Sequence, residues 1–181
     1  GIKVSRYLSD DDLLANINAG TKLVLFEPIT NPNLKVADYR KVKAAAAKTG
    51  AITLCDNTFL TPYLFKPLQH GIDLVMHSGT KYLSGHGDII AGVVAGRSEL
   101  MQQVRTIALK HIGAPIGPQE AYLLQRGLRT LALRMDAHLA GAAKVAEFLA
   151  QHPAVAKVIY PVLTSDAGYA VLGDSVGAFG G

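Results

Sequence analysis

Three compact apolar runs, residues 21–26, 51–55 and 73–77, alternate with stretches carrying helical signals, and this alternation most restricts the fold. Runs this short and this apolar predict buried strands. Strands that alternate with helices tend to pair in parallel, because a parallel neighbour needs a crossover connection. The helical signals are local. Ser9 ahead of Asp10-Asp11-Asp12 predicts a cap and an acidic first turn for a helix through Ile17, stopped by Gly20. Asp38 predicts the cap of a second helix running through the alanines to Lys48 and closed by Gly50. The predicted class is α/β with a mostly parallel sheet.

The remaining punctuation extends this pattern. Residues 2–4 predict a short strand, and residues 89–95 a longer one after the turn Gly85-His86-Gly87-Asp88. Ser98 predicts a helix cap, with Leu100, Val104 and Ile107 on one face. Pro118 suits the first turn of a long helical stretch toward Gln151, which Gly127 and Gly141 can divide. After His152-Pro153, residues 155–160 predict a strand that begins a second domain.

Composition narrows the function classes. Hydrophobic residues make up 49% and charged residues 18%, which fits a packed core and excludes a disordered chain. The net charge of +4 is scattered, so no nucleic-acid groove is expected. No apolar run approaches the roughly 18 residues of a membrane span, and the opening residues read as the inside of a fold, not a leader. Cys55 is the single cysteine. It can form no internal disulfide and no zinc pattern, and is expected to pack as a small hydrophobe in a protein of the reducing cytoplasm. The histidines suggest no metal site, His77 is expected in the core, and no nucleotide loop or serine elbow is present.

The chemistry concentrates after the predicted strands. Glu27, Asp56 and Ser78 each follow one, so three strands deliver polar groups to a single edge of the sheet, where ligands of α/β folds collect. Ser78-Gly79-Thr80-Lys81-Tyr82 offers two hydroxyls and a primary amine, and Asp56 an upstream carboxylate. Those are the groups pyridoxal phosphate needs. The amine forms a Schiff base with the aldehyde, the hydroxyls and the backbone near Gly79 bind the phosphate, and the carboxylate keeps the pyridine nitrogen protonated. Burial and a neighbouring cation can make such a lysine nucleophilic. Asn31 could donate to the ring hydroxyl or to a substrate carboxylate. Plain alternatives stand beside each reading: Lys81 as a surface lysine, Ser78 and Thr80 as turn caps, Asp56 as a strand-end cap, and Asn31-Pro32 as a turn.

At these residues the chain resembles the pyridoxal-phosphate enzymes of sulfur amino-acid metabolism, the family of cystathionine γ-synthase, the cystathionine lyases, methionine γ-lyase and the homoserine-ester sulfhydrylases. The matching segments are Glu27-Pro28-Ile29-Thr30-Asn31-Pro32, Asp56-Asn57-Thr58-Phe59 and His77-Ser78-Gly79-Thr80-Lys81-Tyr82 with Gly85-His86-Gly87-Asp88. Further matches are Arg126-Gly127-Leu128-Arg129-Thr130-Leu131 with Leu133-Arg134-Met135, and His152-Pro153 with Val158-Ile159-Tyr160-Pro161. The resemblance implies an aspartate-aminotransferase type of fold with helices on both faces of the sheet. It implies residues 1–117 as the later part of the cofactor domain, 118–151 as a long helical connection, and 152–181 as the start of a small C-terminal domain. It implies Lys81 as the Schiff-base lysine, Asp56 at the pyridinium, Ser78, Gly79 and Thr80 at the phosphate and Asn31 near the ring. It also implies a dimer of dimers acting on a sulfur amino acid or homoserine ester. The runs 85–94 and 134–138 look closest to the methionine γ-lyase branch, so elimination is the expected reaction, with γ-replacement or an inert piece as alternatives. Family members are roughly twice as long, and the chain looks like a middle piece of one.

Overall fold

The computed structural model describes residues 1–166 and 168–176. Helix α1 (Asp10–Asn16) starts where Ser9 accepts a hydrogen bond from the Asp12 amide at 3.2 Å. Strand β1 (Leu23–Phe26) follows, then α2 (Tyr39–Ala47), whose cap Asp38 accepts from the Arg40 amide at 3.0 Å. Next come β2 (Ile52–Asp56), the short helix α3 (Thr61–Leu64), a tight turn at Pro67–His70, and β3 (Leu74–Ser78). The turn Gly79–Leu83 carries Lys81. Strand β4 (Gly92–Gly96), α4 (Ser98–Ile107), a wide helical turn at Ala108–Ile112, α5 (Pro118–Leu128), α6 (Leu131–Ala150) and α7 (Tyr169–Val176) complete the order.

The sheet runs β1-β2-β3-β4. The first two pairings are parallel, with Phe26 beside Cys55 and Asp56 beside Met76. β4 runs antiparallel to β3, so the sheet is mixed. Side chains alternate along each strand. On one face Val24, Phe26 and Cys55 are buried in a cluster with Leu13, with Val42, Ala45 and Ala46 of α2, and with Leu131 and Met135 of α6. On the other face of β1, Leu23 and Leu25 are 49% and 53% exposed. A smaller cluster of Leu83, Ile89 and Leu124 joins the Lys81 turn to α5.

Several expectations are corrected. Residues 2–4 form no strand and are exposed, for they pair with no neighbour among the described residues. Residues 155–160 form none either, and the Tyr160 amide donates to the Asp166 carboxylate at 3.1 Å instead of to a ladder. The strand expected at 89–95 starts only at Gly92, because Ala91 is held by Thr80. Ser98 lies inside α4, not at its cap. Arg97 stands at that position without capping and bonds Asp73 at 2.8 Å. The long helical stretch divides at Arg129 and Thr130, while Gly141 lies within α6. Gly127, in the last turn of α5, packs closely: a Cβ there would come within 2.2 Å of the Ser84 carbonyl oxygen, so the end of α5 sits directly on the Lys81 turn. The last residues of the segment expected to open a second domain, 177–181, lie outside the described residues.

Cys55 is fully buried, and burial pushes its thiol pKa up, with the Asp56 charge adding to the effect. Native protein is therefore expected to leave Cys55 unmodified by iodoacetamide and to react fully in urea. Alkylation of the folded protein at the rate of a free thiol would refute this burial.

Candidate active site

Parallel pairing sends the C-terminal ends of β1, β2 and β3 to the same edge of the sheet. Glu27 follows β1, Asp56 ends β2 and Ser78 ends β3. Asp56 and Ser78 are joined there by Thr58. The Thr58 hydroxyl donates to Asp56 Oδ1 at 2.6 Å and accepts from the Ser78 amide at 2.7 Å. The Thr58 amide donates to the same Oδ1 at 3.1 Å. Asp56 is thereby fixed through one oxygen, and Oδ2 has no hydrogen-bond partner among the described residues. The Ser78 hydroxyl has none among them either.

Thr80 is differently placed. Its amide donates to the Ala91 carbonyl at 3.3 Å, and its hydroxyl accepts from the Ala91 amide at 3.0 Å. It pins the turn to the approach of β4. Gly79 fits closely beside the same residue, since a Cβ there would lie 3.0 Å from the Ala91 methyl. Lys81 is exposed, so the burial expected around its amine is absent. Its backbone is fixed: the Lys81 carbonyl accepts from the Gly85 amide at 2.8 Å. Asn31 lies in the loop after β1 with its amide donating to Glu27 Oε2 at 3.1 Å, and its side chain is exposed. The structure thus joins Asp56 and Ser78, and sets Lys81 and Asn31 on loops leaving the same edge, hydrogen-bonded to neither.

His77 faces the opposite side of β3 and is buried, as expected for a core histidine. Its Nδ1 has no hydrogen-bond partner among the described residues. Burial lowers its pKa, while the Asn57 main chain and the Asp56 charge oppose the shift without reversing it. Among the described residues no cluster of His, Cys, Asp and Glu could hold a metal ion, and no helix is long and apolar enough to cross a membrane.

Two residues stood in the matching segments but were given no role by sequence reasoning. Thr58 stands two residues after Asp56, the spacing at which an aspartate bonds a following backbone amide, and that signal could have found it. Arg134 donates to the Tyr82 carbonyl at 2.7 Å from 52 residues away, which no local pattern reveals.

The family model for the Cys/Met metabolism PLP-dependent enzymes matches residues 2–181, and the chain belongs to that family. A cystathionine beta-lyase of Lactococcus lactis subsp. cremoris (strain MG1363) is 48% identical over 171 residues, covering 94% of this chain and 45% of the relative. An L-methionine gamma-lyase of Pseudomonas putida is 46% identical over 170 residues, covering 93% and 43%. The crystal structure of a cystathionine gamma synthase from Xanthomonas oryzae pv. oryzae, in complex with aminoacrylate and cysteine, superposes with a TM-score of 0.82 at 44% identity, over 85% of this chain and 40% of that one. The fold is thus that of the type I pyridoxal-phosphate enzymes. The chain spans about half the length of the curated relatives it matches.

Two outcomes follow. Thr58→Val removes the acceptor of the Ser78 amide and the hydroxyl donor to Asp56, and is expected to cost about 1–3 kcal/mol in urea unfolding, with Thr58→Ser close to wild type. Equal stability of the valine variant would show the relay to be idle. For His77 the folded pKa lies below the unfolded one, so the unfolded chain binds a proton first as pH falls. Its contribution to stability is present above about pH 6.5 and declines below that value. His77→Gln should flatten this slope, and a slope unchanged in the variant would refute the assignment.

Proposed function

We propose that the protein carrying this chain is a pyridoxal-phosphate-dependent lyase of sulfur amino acids. It eliminates a thiol from Cβ or Cγ, and hydrolysis of the remaining enamine by water yields a 2-oxo acid and ammonia. The observation that carries the reading is the hydrogen-bonded chain Asp56–Thr58–Ser78 at the sheet edge from which the Lys81 turn departs. The donors fit the cofactor chemically. A carboxylate with one open oxygen suits a protonated pyridine nitrogen, an unpaired hydroxyl suits phosphate, and a reachable primary amine suits an aldehyde.

In this reading Lys81 holds the cofactor covalently, Asp56 holds the pyridinium, and Ser78 donates to the phosphate. Gly79 and Thr80 shape the phosphate turn through their contacts with Ala91, and Asn31 flanks the ring. The bound cofactor supplies an electron sink that makes the substrate α-proton removable. Lys81, freed when the substrate amine takes its place, accepts that proton and moves a second one at Cβ. Thr58 keeps Asp56 oriented throughout. Residues 1–117 are read as the later part of the cofactor domain, 118–151 as the helical connection and 152–181 as the start of a second domain. Self-association as a dimer of dimers and a cytoplasmic setting belong to the same proposal.

Replacement at Cγ of an activated homoserine is the second reading, favoured by the 44% identity to a cystathionine gamma synthase. It uses the same residues.

The test is direct. Incubation with pyridoxal phosphate, borohydride reduction and peptide mapping should place a pyridoxyl group on Lys81, and Lys81→Ala should abolish it. A label elsewhere, or none, overturns the cofactor site and leaves the chain an inert piece. In the loaded protein, 2-oxo acid and ammonia released from methionine or cystathionine support elimination. With an activated homoserine and a thiol supplied instead, a thioether product formed with loss of the activating group, and without oxo acid or ammonia, establishes replacement.

A further inference from the structure

We infer that Arg134 is a positioning residue for Lys81, an inference that rests on reading Lys81 as the cofactor lysine. The guanidinium makes three hydrogen bonds. Nη2 donates to the Gly127 carbonyl at 2.8 Å and Nε to the Thr130 hydroxyl at 3.1 Å, both at the junction of α5 and α6. With the planar fork fixed on that side, Nη1 reaches across to the Tyr82 carbonyl at 2.7 Å, one residue beyond Lys81. Among the described residues Arg134 pairs with no carboxylate, so its charge is directed at main-chain oxygens.

Two glycines make room for this grip. At Gly85 a Cβ would lie 2.2 Å from Nη1 and 2.3 Å from the central guanidinium carbon, and the backbone there has φ +74°, which glycine adopts without strain. At Gly127 a Cβ would strike the Ser84 carbonyl, so the end of α5 touches the turn by its backbone. The Lys81 side chain is exposed and has no hydrogen bond among the described residues. Its placement therefore depends on its backbone, and Arg134 holds that backbone from outside. An arginine serving only the C-terminal end of α5 would bond Gly127 and Thr130 and leave Tyr82 alone.

The test uses the intact protein and the variants Arg134→Gln and Thr130→Val, with two readouts. The first is amide hydrogen exchange across residues 79–85. The second is the rate of borohydride-trappable labelling of Lys81 at saturating pyridoxal phosphate, set against the apparent affinity for it. Arg134→Gln should speed exchange at the Ser84 and Gly85 amides, and slow labelling, each by about tenfold, the factor for a loss of roughly 1.4 kcal/mol. Exchange in β2 and β3 should stay unchanged. Thr130→Val, which frees one anchor of the fork, should move both in the same direction by less. Unchanged exchange in the turn overturns the inference, as does a loosened turn that is labelled as fast as wild type. If Arg134→Gln unfolds, with exchange rising everywhere, Thr130→Val decides by the same two readouts. A wild type that takes no label on Lys81 removes the cofactor reading and this inference together. A labelled wild type with an equally fast variant removes this inference alone.

Discussion

Parallel pairing of three strands is the constraint on which the rest of the molecule depends. Strands that run the same way must end on the same side, and their last residues must meet there whatever chemistry they carry. The register sets Asp56 beside Met76, two residues before Ser78. One threonine is then long enough to bridge the carboxylate and the backbone of the next strand. A shift of one residue would send Asp56 into the face occupied by Cys55 and His77, where a charge is costly.

The Lys81 turn is held on two sides. Thr80 and Gly79 hold it to Ala91, and Gly127 and Arg134 hold it to the helices beyond. Both attachments use backbone contacts, which fix the direction of the chain without covering the lysine side chain. The result is an exposed lysine side chain on a fixed backbone, leaving the sheet edge at which Asp56 is held through one oxygen.

Much of this was legible in the residues, and what was not has physical causes. The caps Ser9 and Asp38, the three apolar runs and Pro118 act within a few positions, so the sequence states them openly. Residues 2–4 and 155–160 have strand-like composition, but a strand needs a partner, and pairing is not a local property. Ser98 looked like a cap because its residue type favours one, yet the chain leaving β4 put Arg97 in that place. Asp56, Ser78 and Lys81 were visible as a motif. That Thr80 would turn to Ala91 instead of standing open, and that Lys81 would stay exposed, depended on how the turn meets β4.

The bond between Arg134 and Tyr82 spans 52 residues, whereas the one closing the Lys81 turn on itself spans four. Chain-closure entropy makes the longer ring about 2 kcal/mol harder to close. During folding, therefore, the turn can curl early, but its second attachment closes only when α6 docks. Proper setting of the amine is in this sense a report that the distant half of the polypeptide has arrived.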